Sequence, residues 1–171
     1  MFLAASTQAG ELTLRVTGLF SKDRVDDLRR AVEMIERVEI KSIDYETAKV
    51  TFIFETGDEP FKSNAAPEQI LSAIDSKVKK ATRHTMTALL PTEVPKDKLA
   101  RIEIDVVGLD CKACSYAAYR AIYQIEGVAR ATASFKDGKV TALIDPKETN
   151  RPALEEALKK KGVILKSTES K

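Results

Sequence analysis

Cys111 and Cys114 are the two cysteines of this 171-residue chain, and they stand three positions apart in GLDCKACSYAAYRAIYQIEGV, residues 108–128. The pair falls where a strand-like run gives way to a helix-like one. There the first amide N–H groups of a helix are unpaired and its dipole is positive, which favours thiolate over thiol. Two soft sulfurs on one loop suit Cu(I) and, with added ligands, Zn(II) or Hg(II). Protonation does not forbid this: ionising two thiols of pKa ~8.5 at pH 7 costs about 4 kcal/mol, against about 10–16 kcal/mol for a thiolate metal site. A C-x-x-C pair at a helix start can also exchange disulfides, or simply fill space. A thioredoxin-like pair belongs to a sheet with a parallel βαβ segment, however, and this chain has no Trp and places Lys112 and Ala113 between its thiols. A four-ligand structural zinc site needs two further donors. The single histidine, His84, lies far away in the sequence and reads as an isolated residue at a strand edge.

The elements that must position the pair occur twice. ELTLRVTGLFSKDRVDDLRRAVEMIERVEI from Glu11 lies without a gap over RIEIDVVGLDCKACSYAAYRAIYQIEGVAR from Arg101, an offset of 90 residues that also carries KVTFIFE at 49–55 onto KVTALID at 139–145. Such self-similarity marks a repeated structural unit. Each copy opens with alternation, Leu12, Leu14, Val16 and then Ile102, Ile104, Val106, the period of a strand with one buried face. A glycine-containing loop follows. Next come apolar residues at helical spacing, Leu28, Ala31, Val32, Ile35 and their counterparts Ala118, Ala121, Ile122, Ile125. Two extended runs then form a hairpin in each copy, 38–45 with 48–55 and 128–135 with 139–145, the second turning at the KDGK of 136–139. A second helix is expected over 67–80 and over 151–161, the latter with Asn150 as cap, Pro152 in its first turn and Gly162 at its end. Short strands close the copies at 84–90 and 163–166. The order βαββαβ, applied twice, predicts an α+β chain of two tandem ferredoxin-like sandwiches, each a four-stranded antiparallel sheet with both helices on one face. The units are expected over 11–90 and 99–171, joined by a proline-containing linker at 91–98. The GDEPFKSNAAP stretch of the first unit reads as a surface loop without chemistry.

The second unit resembles the heavy-metal-associated domain family, which includes copper metallochaperones, the metal-binding modules of P-type ATPases and mercuric-ion-binding proteins. The motif that carries the resemblance is Gly108-Leu109-Asp110-Cys111-Lys112-Ala113-Cys114, followed by AAYRAIYQIEGV, within residues 99–167. The resemblance implies reversible binding of a soft metal ion, Cu(I) first and Zn(II) next, by Cys111 and Cys114. It also implies handover by thiolate exchange, without catalysis, to a metal-transporting ATPase or another thiolate protein. Asp110 is a candidate auxiliary ligand, its alternative being a cap on the loop. Leu109 replaces the family's usual Met and should plug the loop from beneath, and Val163 occupies the position after the late glycine. The first unit has Ser21 and Arg24 where the second has its thiols, so it reads as a degenerate copy unable to hold a soft metal. The rival functions are a thiol-disulfide redox protein and an interaction module with a vestigial metal site.

Tyr116, Tyr119 and Tyr123 form a stripe roughly 130° around the helix from its core residues. Their first-unit counterparts, Asp26, Arg29 and Glu33, are plainly solvated. The stripe is therefore expected to be a covered surface, against the first unit, a second copy in a homodimer, or a transporter, the bland alternative being three tolerated surface tyrosines. With 28 Lys and Arg against 26 Asp and Glu, the net charge of +2 draws the chain neither to nucleic acid nor to an anionic membrane. No apolar run approaches the ~20 residues that span a bilayer. The apolar stub at 2–5 and the small residues around Thr7-Gln8-Ala9 read as the remnant of a signal segment, with residues 1–10 outside the fold. On that reading the compartment is periplasmic or otherwise extracytoplasmic; without it, cytoplasmic.

Overall fold

The computed structural model of the protein describes residues 9–91 and 94–166. The chain divides into two compact units between Pro91 and Thr92. The first runs β1 (Ala9–Thr17), α1 (Asp23–Glu33), β2 (Val38–Asp44), β3 (Lys49–Glu55), α2 (Pro67–Ala81), β4 (Thr87–Leu89). The second unit has a 3-10 turn, Lys96–Lys98, ahead of β5 (Ala100–Val107), α3 (Lys112–Tyr123), β6 (Val128–Ser134), β7 (Lys139–Ile144), α4 (Arg151–Lys160) and β8 (Ile164–Leu165). Each unit has one four-stranded sheet, in the orders β2-β3-β1-β4 and β6-β7-β5-β8. Every pairing is antiparallel. These are two tandem ferredoxin-like sandwiches, as the repeat predicts.

Alternation explains why one face of each sheet is dry. Leu14 and Val16 from β1 and Val50, Phe52 and Phe54 from β3 meet Leu28 and Val32 of α1 and Ile70, Ile74 and Val78 of α2 in one core. In the second unit Ile104, Val106, Val140, Ala142 and Ile144 of the sheet are buried, as are Ala118 and Ile122 of α3 and Leu154 and Leu158 of α4. Burying each large side chain contributes about 1.5–3 kcal/mol. Helix α4 starts where Asn150 accepts a bond from the Ala153 amide at 3.1 Å, satisfying one of the first-turn donors.

The repeat persists at the level of single bonds. The Val16 amide donates to the Ala48 carbonyl at 2.8 Å, and the Val106 amide to the Gly138 carbonyl at 2.8 Å. Likewise Glu55 N–H donates to Arg37 O at 3.1 Å and Asp145 N–H to Gly127 O at 2.7 Å. All four acceptors have left-handed backbone, with φ of 54° at Ala48, 57° at Gly138, 64° at Arg37 and 81° at Gly127. The second unit uses glycine at both turns, where the conformation carries no Cβ penalty.

Four expectations need correction. Residues 9 and 10, expected outside the fold, belong to β1, where Ala9 pairs with Glu55 and Gly10 with Phe54. A Cβ on Gly10 would fall 2.3 Å from the Phe54 ring, so glycine is what lets the strand pass over it. The signal remnant itself falls on residues 1–8, outside the described residues. The GDEPFKSNAAP loop is not merely superficial: Phe61 is buried and stacks on Phe54 with ring centroids 5.2 Å apart. His84 is not on a strand. It follows Arg83 in the left-handed turn that ends α2, with φ of 60°, and its amide donates to Lys79 O at 2.7 Å. The closing strands are accordingly shorter than expected, Thr87–Leu89 and Ile164–Leu165.

Candidate functional site

Cys111 is the N-cap of α3. Its backbone is extended (φ −149°, ψ 163°), and its Sγ accepts a bond from the Cys114 amide at 3.2 Å. The Cys111 sulfur thus fills the role that Ser or Asp usually plays, taking one of the orphan donors of the first helical turn. Leu109, just before it, is buried beneath the loop, while Asp110, Cys111, Lys112 and Ala113 are exposed and Cys114 is half-buried. Both thiols are free.

The two sulfurs are electrostatically unlike. Cys111 is held below the ordinary thiol range, first by the hydrogen bond from the Cys114 side chain, then by the Cys114 and Ala113 amides, with Asp110 opposing them. Cys114 is pushed up, first by its hydrogen bond to Cys111, then by burial and by the charge on Cys111. The pair therefore carries its first negative charge on the outer, more accessible sulfur. Among the described residues no group of three or more His, Cys, Asp or Glu side chains gathers to hold a metal. Asp110, the candidate third ligand, is thus not brought into one donor cluster with the cysteines, and His84 lies in the other unit.

The same loop in the first unit is closed by an organic cation. Arg24 stands where the second unit has Cys114. Its guanidinium donates through Nε to the Gly18 carbonyl (3.3 Å), through one terminal nitrogen to Asp27 Oδ2 (2.7 Å) and through the other to Thr85 Oγ1 (2.7 Å). It also lies 5.5 Å over the Phe20 ring. Ser21, matching Cys111, donates its hydroxyl to Asp23 at 2.6 Å. The planar fork ties the loop, α1 and the turn before β4 together. The packing of the two loops differs to match: a Cβ on Gly18 would sit 2.2 Å from Thr85 O, whereas one on Gly108 would meet no atom within 4 Å. The first loop is shut around a permanent charge; the second is open around two sulfurs.

The tyrosine stripe forms a stack. Ring centroids are 6.3 Å apart for Tyr116–Tyr119 and 5.4 Å for Tyr119–Tyr123, the latter nearly parallel at 8°. The Arg120 guanidinium lies 6.0 Å from the Tyr116 ring. Tyr119 is only 3% exposed in the folded chain, while Tyr116 and Tyr123 are half-buried.

Two features escaped the sequence reading. The partner of Arg24, Thr85, is 61 residues away and no local pattern announces it. Ser115, by contrast, was findable: it lies three residues before Ala118 and seven before Ile122, on the buried stripe of α3, and it is fully buried.

Residues 103–163 match the family model described as the heavy-metal-associated domain. A copper-exporting P-type ATPase of Bacillus subtilis (strain 168) is 33% identical over 95 residues, which are 56% of this chain and 10% of that protein. The chain therefore spans about a tenth of that relative's length. Among solved structures, the N-terminal soluble domains of Bacillus subtilis CopA align over 97% of this chain and 99% of theirs at 21% identity, with a TM-score of 0.38. The Cu(I)-loaded N-terminal domain of a potential copper-translocating P-type ATPase from Bacillus subtilis aligns over 43% of this chain and 99% of its own at 34% identity, with a TM-score of 0.38.

Proposed function

We propose that the chain, whose residues 103–163 match the heavy-metal-associated domain model, is a non-catalytic carrier of a soft metal ion, held as cargo by Cys111 and Cys114. One observation carries the reading: two sulfurs share one exposed helix-start loop, the outer of them already accepting an amide bond and held toward thiolate. Thiolates are soft donors, and a sulfur held below the ordinary thiol range yields its proton to a soft cation more readily. Cu(I) is the favoured cargo. Zn(II) asks for about four donors, and no third one collects beside the sulfurs among the described residues. The likeness to an ATPase named copper-exporting supports the same choice.

Handover follows from the asymmetry. Cys111, exposed and first to ionise, meets an incoming thiolate pair, while half-buried Cys114 keeps its hold until exchange is complete. The acceptor is a transporter or another protein presenting two thiolates. The first unit keeps the fold and lacks donors for a soft ion, because Arg24 fills that loop. Cu(I)-loaded protein, mixed anaerobically with a separate two-cysteine acceptor and resolved by size, should pass its copper within the dead time of mixing. Copper that stays with the chain under a large excess of acceptor would refute the carrier reading.

The lowered and raised thiols also fit a second reading, thiol-disulfide exchange, in which Cys111 attacks and Cys114 resolves. Steady turnover of a small disulfide with glutathione, lost in Cys111→Ser, would favour it over the carrier.

A further inference from the structure

Ser115 immediately follows Cys114, is 0% exposed, and its Oγ has no hydrogen-bond partner. A buried hydroxyl left unmade costs about 1–3 kcal/mol, so a protein that keeps one has a use for it elsewhere. Its place narrows that use. The Ser115 amide donates to the Cys111 carbonyl at 3.0 Å, which sets the residue one helical turn below the N-cap cysteine. A helical serine hydroxyl turns back toward the backbone of the residue four before it, which here is Cys111, the residue that carries the sulfur. The repeat supplies an internal control. At the matching position the cysteine-free unit has Val25, so the hydroxyl is present with the thiols and absent without them.

We propose that Ser115 is a positioning residue for the metal-bearing sulfur: its hydroxyl, unpartnered in the metal-free chain, donates to Cys111 Sγ when that sulfur carries metal. The bond would be charge-assisted, and it would replace the Cys114 amide contact or share the sulfur with it as the loop adjusts around the ion. Hydrogen bonds of this kind to metal ligands hold their orientation and typically change affinity by about 10–100-fold. This rests on the preceding reading that Cys111 binds metal.

The test is Ser115→Ala in the full chain, with two readouts taken on the same preparations. Metal-free, reduced protein is melted thermally, and Cu(I) affinity is measured anaerobically by competition with a colorimetric Cu(I) chelator. Removing an unpartnered hydroxyl should leave the metal-free melting temperature unchanged or raise it, while Cu(I) affinity falls about tenfold or more. Equal affinity in the variant and wild type overturns the role of Ser115 and leaves the carrier reading standing. A lowered metal-free melting temperature with a parallel loss of affinity also overturns it, because the hydroxyl would then be an ordinary structural bond. Failure of the wild type itself to hold Cu(I) against the chelator removes the carrier reading, and the role of Ser115 with it.

Discussion

Replacing Arg24 by Ala removes the cation that closes the first unit's loop, and the structure sets the size of the loss. The side chain is 15% exposed and its ion-pair partner Asp27 29%. Of its contacts, the Thr85 bond is the most protected, a charge-assisted bond across 61 residues of chain, and such bonds contribute about 1.5–3 kcal/mol. The Asp27 pair lies within one helix and is part-exposed, so it adds only about 0.5 kcal/mol. The long 3.3 Å bond to Gly18 O and the Phe20 ring contact add about 0.5 kcal/mol each. The expected destabilisation of the first unit is therefore about 3–4.5 kcal/mol, which for a domain of this size lowers its melting temperature by about 12–36 °C. Native-state hydrogen exchange read by mass spectrometry reports it, because peptides from 9–91 should lose protection while peptides from 94–166 serve as the control. Arg24→Lys keeps the charge but loses the three-way fork, and should recover less than half of the loss. A loss below 0.5 kcal/mol in Arg24→Ala, or full recovery by Lys, would refute the idea that guanidinium geometry closes this loop.

Three further outcomes follow from the same structure. Leu109→Ala should destabilise the second unit by about 2–4 kcal/mol in urea unfolding, and Leu109→Met by less than about 1.5 kcal/mol, since Leu109 is 4% exposed and Met conserves its volume. Arg37→Gly should stabilise the first unit by about 0.5–1 kcal/mol, because Arg37 has φ of 64° where the second unit has Gly127. Iodoacetamide should modify Cys111 at lower pH than Cys114, and trypsin, cleaving after Lys112, separates the two for mass analysis. The signs are opposite. The lowered Cys111 contributes to folding above the ordinary thiol range and loses that contribution as pH falls through its folded value; the raised Cys114 contributes below that range and loses it as pH rises.

The sequence revealed most about what repeats. An offset of 90 residues carried the strand and helix order from one unit to the other, and local alternation placed Leu14, Val16, Ile104 and Val106 on the inner faces they occupy. Cys111 as a helix-start thiol was legible for the same reason: glycine, loop and helical spacing are all local signals. What escaped was decided by distance in the chain or by side-chain reach. Arg24 was recognisable as a cation, but its closure of the loop depends on Thr85. Tyr119 was assigned by angle, while its burial depends on what surrounds a large ring. Phe61 sits in a stretch rich in turn-forming residues, and only the fold shows that Phe54 receives it. His84 carried no pattern that distinguishes a strand edge from a left-handed helix stop.

The central claim is that one of two similar units binds one soft ion through one pair of sulfurs. Native mass spectrometry of the reduced chain after anaerobic addition of excess Cu(I) and removal of loosely bound metal tests it directly. The account predicts one copper per chain in the wild type and in Arg24→Ala, and none in Cys111→Ser or Cys114→Ser. Copper retained equally by wild type and both serine variants, or by none of them, would contradict it.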